Sequence, residues 1–365
     1  MLLQCGVQAL IWGYCVGKVS LQIIALVYLG LSMSLNSYAA VVKDLYSAEV
    51  VVADNGQQAL AVGSRAALSE VLVKISGSED VLQNPVLRSA LGDARNLVQQ
   101  YAYVRKESDS GELWARFEFD EVVVSGLVAK AGAPLWTANR PPILVWMVIE
   151  GPKGRQFLTR ESSPEMMLRV TEEFARRGVP AQFPLYDLND SAAISVDELW
   201  RLNAPSLAGA SQRYGVNHIL AGRLATLSSG SWVGDWSYFS ENSRIDRSIR
   251  VGDPEAFLQA GVSLVAEEMS AKYAVAPSTT VAEGVKVQVT GVSKYADYAS
   301  IVAWLEGLEL IEFANIEQIR GDTIQLNLVA QADAGQLAAI IELNEHLVPV
   351  HSPGSAVQLS YQWQN

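Results

Sequence analysis

Cysteine is nearly missing from this 365-residue chain: Cys5 and Cys15 are the only two, and both stand near its start. Everything after them therefore lacks disulfides, thiolate nucleophiles and cysteine-ligated zinc. Neither follows an apolar run with small residues before it, so a lipoprotein attachment site is not expected. Histidine is almost as scarce, at positions 218, 346 and 351. His346 and His351 straddle Pro349, where spacing and proline spoil a shared helical face, and no Glu accompanies them as in a zincin motif. They read as a solvated helix-end pair. His218, opening an expected strand, reads as a hydrogen-bonded structural residue. Basic charge is in deficit too: 27 Lys and Arg against 39 Asp and Glu give −12, which is not the electrostatic footprint of a nucleic-acid binder. Charged residues make up only 18% of the chain and apolar ones 50%, a balance that excludes a disordered chain or a coiled coil.

Signatures of catalysis are equally thin. There is no G-x-S-x-G elbow, and none of the nine lysines follows a serine by three residues. Gly151-Pro152-Lys153-Gly154-Arg155 lacks the glycine spacing and the Lys-Ser/Thr pair of a phosphate loop, and reads as a turn. Glu172-Glu173 and Glu267-Glu268 are adjacent on expected helices, about 100° apart, and read as solvated surface rather than as a catalytic dyad. No catalytic, cofactor-binding or metal-ligating residue is assigned, and no cofactor is expected.

What the chain does have is an oily front end. From Met1 to Val42 the only charge is Lys18, and 24 uncharged residues run from Val19 to Val42. The apolar stretch Leu21–Leu35 leads into Ser37-Tyr38-Ala39, with small residues at the two positions a signal peptidase reads. A secretory signal cut after Ala39 or Ala40 is the expectation. The alternative is an uncleaved anchor, since about 20 apolar residues span a bilayer and Lys18 and Lys43 give little charge bias. On either reading the chain beyond residue 40 is exported, into a Gram-negative periplasm or facing it from the inner membrane. Residues 1–17 contain no basic residue, unlike a signal n-region. The expected start is therefore downstream, for example at Val16 if its codon is GUG. Without residues 1–39 the chain holds 26 basic and 39 acidic residues, or −13.

The length implies two or three domains. Residues 40–138 read as one α+β unit: a strand at Asp44–Asp54, a helix at Gln57–Ile75 stopped by Gly77, and a second helix at Val86–Leu97. A hairpin of Leu97–Lys106 and Leu113–Phe119 follows, turning at Glu107–Glu112. Its last helix, Glu121–Ala131, is capped by Asp120. Residues 139–275 read as an α/β unit. Ile143–Glu150 is apolar enough for a strand covered on both faces, followed by a helix at Ser163–Gly178 and a short strand at Ala181–Tyr186. A second helix (Ser206–Tyr214), three strands (Asn217–Leu227, Gly230–Phe239 and Ser243–Val251) and a long helix at Asp253–Tyr273 complete it. Residues 276–284 form a linker. Residues 285–365 read βαββαβ, with strands at Val285–Val292, Leu310–Ile319, Thr323–Ala330 and Ala356–Trp363 and helices at Tyr295–Leu308 and Ala334–Leu347, a ferredoxin-like order. The fold class is thus tandem small mixed sheet-plus-helix domains, α+β and α/β.

The stretches Leu72–Pro85 (LVKISGSEDVLQNP), Gln99–Val104 (QQYAYV) and Trp136–Gly151 (WTANRPPILVWMVIEG) resemble the exported proteobacterial family called domain of unknown function 2066. The resemblance runs over most of residues 40–365. It implies a periplasmic or envelope-associated protein with no assigned activity, and it carries over no functional residue. By element order alone, the first two units are similar to small domains of the flagellar T-ring protein. The middle unit also looks like periplasmic activators of penicillin-binding proteins.

Trp232, Trp236 and Tyr238 share one face of a strand. Either that face covers a core beneath a helix, or it is an exposed aromatic strip for a partner protein or glycan. Trp200 and the Arg140-Pro141-Pro142 junction stay open between the same two readings. Two functions remain: a non-enzymatic binding or scaffold module for envelope proteins or peptidoglycan, or a periplasmic hydrolase or ligand-binding enzyme whose site assembles only on folding. A deep pocket holding two perturbed acids would favour the enzyme.

Overall fold

The computed structural model describes residues 40–364, apart from 105–110, 153, 228, 241–242, 276–283, 331, 344–345 and 351–356. The leader with Cys5, Cys15 and Lys18, most of the expected 107–112 turn, nearly all of the linker and His351 lie outside the described residues. Among the described residues no helix is long and apolar enough to cross a membrane.

The first unit opens with β1 (Ala40–Val41) and β2 (Ser47–Val52), followed by α1 (Gln57–Ser76). In α1 the turn-by-turn recurrence of Leu60, Leu68, Val71, Leu72 and Ile75 puts one face into the core. Gly77 ends the helix at φ 81, where an L side chain is strained. A Cβ there would also collide with Ser270. The expected single helix at Val86–Leu97 is two, α2 (Pro85–Gly92) and α3 (Ala94–Leu97), because Asp93 sits outside the helical region at φ −104, ψ 14. The hairpin β3 (Val98–Val104) and β4 (Leu113–Phe119) joins β2 in an antiparallel sheet ordered β2-β4-β3. Asp120 accepts the Val123 N–H and starts α4 (Glu121–Lys130). Val124 and Val128 turn its inner face into the core.

The second sheet begins with β5 (Asn139–Arg140), which pairs with β1, and with β6 (Ile143–Gly151), β7 (Gly154–Phe157), α5 (Pro164–Arg176) and β8 (Ala181–Gln182). The expected strand at Ala181–Tyr186 stops early: Pro184 gives no ladder donor, and Tyr186 is left-handed at φ 52. Then come α6 (Leu188–Ala193), α7 (Val196–Trp200) and α8 (Ala204–Ser211), the last holding Pro205 in its first turn, where it costs no hydrogen bond. The strands β9 (His218–Thr226), β10 (Trp232–Ser240) and β11 (Ser243–Val251) precede α9 (Pro254–Tyr273). The order is β11-β10-β9-β6-β7, with β8 beside the start of β6. The all-apolar β6 is covered on both faces. Ile143, Val145 and Met147 pack with residues of α5 and α9, and Leu144, Trp146 and Val148 pack with residues of α7 and α8.

The third sheet is built from β12 (Val285–Thr290), α10 (Tyr295–Glu306), β13 (Ile311–Arg320), β14 (Thr323–Ala330), α11 (Ala334–Ile341), β15 (Leu347–Pro349) and β16 (Leu359–Trp363). It has the ferredoxin-like split βαβ arrangement with one added piece. The helix expected over Ala334–Leu347 ends at Ile341, and Leu347–Pro349 emerges as β15. The chain then turns back as β16, inserted between β15 and β12 and parallel to β12.

Residues 135–140 tie these parts together. Leu135 exchanges both backbone hydrogen bonds with Val275, the Trp136 N–H reaches the Ile75 carbonyl at 2.6 Å, and the Ala138 N–H reaches Glu309. At the end of this strap Arg140 is fully buried. Its five N–H donors all find backbone carbonyls: Nε reaches Thr137 at 2.9 Å, Nη1 reaches Gly178 at 2.7 Å and Arg177 at 3.4 Å, and Nη2 reaches Lys74 at 2.9 Å and Trp136 at 2.8 Å. The guanidinium also lies 3.8 Å from the Trp136 ring centre. Lys74 lies in the last turn of α1, and Arg177 and Gly178 follow α5, so two helix C-termini with their negative dipole ends converge on one cation. Burial lowers the Arg140 pKa to about 9, which leaves it charged at neutral pH. Gly178 has φ 64, and a Cβ there would meet Arg140 and Lys74.

The aromatic face of β10 belongs to the core. Trp236 is fully buried, stacked on Phe257 at 4.6 Å and donating Nε1–H to the Phe257 carbonyl at 2.9 Å. Its indole fills a slot left by Gly222 and Gly261, where any Cβ would overlap it. Tyr238 is 3% exposed, and Trp232 packs half-buried on the same cluster. The exposed partner-binding strip at Trp232, Trp236 and Tyr238 is therefore corrected: α9 covers that face. Beneath α9 the Tyr238 hydroxyl lies 2.7 Å from His218 Nδ1, and the Tyr273 hydroxyl lies 3.2 Å from its Nε2.

Burial first, and the Lys272 charge second, lower the His218 pKa to about 4. An unfolded histidine titrates near ~6.5, so between those values the unfolded chain holds more protons. The His218 contribution is complete above pH ~6.5 and is lost as pH falls toward about 4. Urea unfolding across that interval should show the parent losing up to about 3 kcal/mol more than His218→Gln. Equal pH slopes would exclude this role.

Candidate functional site

A cleft of about 380 Å³ opens where α4 meets the segment between α10 and β13, near the low end of the roughly 300–1,000 Å³ typical of ligand sites. The helical period that buries Val124 and Val128 turns Glu121, Ser125 and Ala129 outward at i, i+4 and i+8, with Val122 and Gly126 alongside. The floor is apolar: Ala133, Leu135, Val275 and Leu310. Tyr46, from the turn before β2, and Glu309, from the turn before β13, supply the opposing polar groups.

The electrostatics of the cleft are one-sided. Glu309 is open to solvent on one side, yet the protein around it desolvates the carboxyl and raises its pKa, and the Glu121 charge adds to the rise. The Ala138 N–H, donated to Glu309 at 3.1 Å, and the Arg140 charge pull the other way without cancelling it. Tyr46 is pushed up by burial first, then by the charges of Glu309 and Glu121. Neither carboxylate forms an ion pair among the described residues, whereas Asp44, Asp197, Asp235 and Glu267 are each held by an arginine. Ser125 donates its hydroxyl back to the Glu121 carbonyl at 2.6 Å, so it is tied to its own helix. Chemically, the arrangement suits a cationic group on an apolar stem.

The residues singled out in the sequence are elsewhere. Trp232, Trp236 and Tyr238 lie in the second core, and Arg140 closes the strap behind the cleft wall. Trp200 is half-buried, with Arg155 4.4 Å and Arg223 5.8 Å from its ring centre. His346 approaches the Gln364 carbonyl through Nδ1 at 2.8 Å and tilts on Trp363. Gly151 pairs with Gly154 where β6 meets β7. Glu173 departs from the expected solvated surface: it is 9% exposed and held by Arg176 at 2.6 and 2.9 Å. Glu267 pairs with Arg247. No group of three or more metal-ligating side chains occurs among the described residues. Glu121, Glu309 and Tyr46 were not singled out, because no local pattern marks three residues that only folding brings together. The sole hint was the outward i, i+4, i+8 line of α4.

Residues 39–137, about a quarter of the chain, match the family described as a domain of unknown function (DUF8605). This match corrects the resemblance to domain of unknown function 2066. Leu72–Pro85 and Gln99–Val104, which carried that resemblance, fall within the match to this different family, and only the start of Trp136–Gly151 does. What the resemblance implied about the envelope goes with it. No curated protein matches the chain.

Proposed function

We propose that this protein is an exported, non-enzymatic binding module that docks a component of the cell envelope, a protein or peptidoglycan, in the cleft beside α4. The observation that carries this reading is the concave seam itself, with an apolar floor and two carboxylates that no arginine or lysine of the described chain neutralises. A desolvated acid without a counter-ion is unfavourable alone and is relieved when a partner arrives. The enzyme reading is weaker: one acid, Glu309, has its pKa raised in an open cleft, and the one serine among the lining residues, Ser125, is engaged with the helix backbone.

Export rests on the leader pattern, and the start of the family match at residue 39 beside the expected cut supports it. Ala40 also pairs with Arg140 through β1, which favours a cut after Ala39 over one after Ala40. Cell fractionation with N-terminal sequencing should find the protein in the periplasmic or envelope fraction beginning at Ala40. Full-length chain in the cytosol would refute export.

Gly126 offers a clean block of the cleft, because nothing lies within 4 Å of a Cβ built there. Gly126→Trp should melt at or above the parent temperature, since glycine is the weaker helix residue. It should also lose retention of whatever envelope component the parent retains. Unchanged retention by a folded Gly126→Trp would overturn the cleft as the docking site.

A further inference from the structure

Glu121 and Glu309 form no ion pair among the described residues at a seam where an apolar floor meets open space. Arginine pairs with acids at several other surface positions, as at Asp44, Asp197, Asp235 and Glu267. At the cleft, Glu121 and Glu309 instead face each other's field. Arg140, whose charge acts on Glu309 and Tyr46, is spent: its five N–H groups are bonded to carbonyls. A cation that pairs with them would come from outside the described residues.

We infer that the cleft receives a lysine or arginine side chain presented by a partner protein. This deepens the docking role proposed above and rests on it. The cationic head sits between Glu121 and Glu309, with the Tyr46 hydroxyl as a further acceptor and its ring as a cation–π face. The methylene stem lies over Leu135, Val275 and Leu310, as such stems do when they bury carbon and keep the charge at a polar end. Gly126 and Ala129 leave α4 flat enough for that stem to pass. An ammonium and a guanidinium share this chemistry, and both are admitted.

The test uses the exported chain and three capped tripeptides, acetyl-Ala-Lys-Ala-amide, its arginine counterpart and its norleucine counterpart, titrated at neutral pH by NMR or calorimetry. The lysine and arginine peptides should bind saturably, and norleucine about tenfold more weakly or not at all, since a charge-assisted contact is worth roughly that factor. Added salt should weaken lysine but not norleucine. Glu309→Gln, which keeps an acceptor for the Ala138 N–H, should weaken lysine by about tenfold with an unchanged melting temperature. If that variant unfolds, Glu121→Gln provides the same comparison. Norleucine binding as tightly as lysine would overturn the cation receptor and leave an apolar docking groove. So would no binding of any peptide while Gly126→Trp still abolishes partner retention. Isolated peptidoglycan fragments that displace the lysine peptide at lower concentration than it binds would overturn the protein partner. Retention that survives Gly126→Trp fails the docking reading itself.

Discussion

A guanidinium with no carboxylate partner sits at the crossing of this fold. Burying an isolated charge is among the costliest things a protein does, and here the cost is offset by geometry rather than by an opposite ion. Two helices end against the same point, where the Lys74, Arg177 and Gly178 carbonyls accept from Arg140, and the strap carbonyls of Trp136 and Thr137 take its remaining N–H groups. The planar fork of arginine suits such a cage; a lysine ammonium has three donors and no fixed plane. Trp136 stacks on the guanidinium while its own N–H and carbonyl serve α1 and Arg140. Thus β1, α1, α5 and the strap at 135–140 are held by one side chain.

The cleft follows from that joint. The strap fixed by Arg140 also bonds Val275 and Glu309, so it positions the third sheet against α4. Where the small outward residues of α4 face the turn before β13, the surfaces do not close. The space left is lined by Glu121, Glu309 and Tyr46. Arg140 influences these groups only through its field, because its hydrogen bonds are all used.

Much of the fold was legible locally, because local chemistry specifies it. The apolar run Ile143–Glu150 could only be a strand covered on both faces, Asp120 and Gly77 marked helix ends, and the β-rich segments fell where alternation put them. The errors share a cause. The helix expected over Ala334–Leu347 takes in the first residue of β15 because Leu347 is apolar at a helical spacing, and only pairing with β16 makes it part of a strand. Trp236 alternates in β10 as an exposed strip would, and its slot is cut by Gly222 and Gly261 on other elements. Glu173 was read as solvated because one residue's burial depends on packing that the sequence does not display. The cleft joins positions 46, 121 and 309, and no spacing rule links residues so far apart.

The account depends most on the Arg140 joint, and equilibrium urea unfolding of Arg140→Met tests it most directly. Methionine matches the stem and removes the donors. The carbonyls of Lys74, Thr137, Trp136, Arg177 and Gly178 then lose their partner, and the predicted loss of stability is about 3–5 kcal/mol, with Arg140→Lys recovering only part of it. An Arg140→Met protein with the parent's midpoint and slope would contradict the claim that this cation holds the units together.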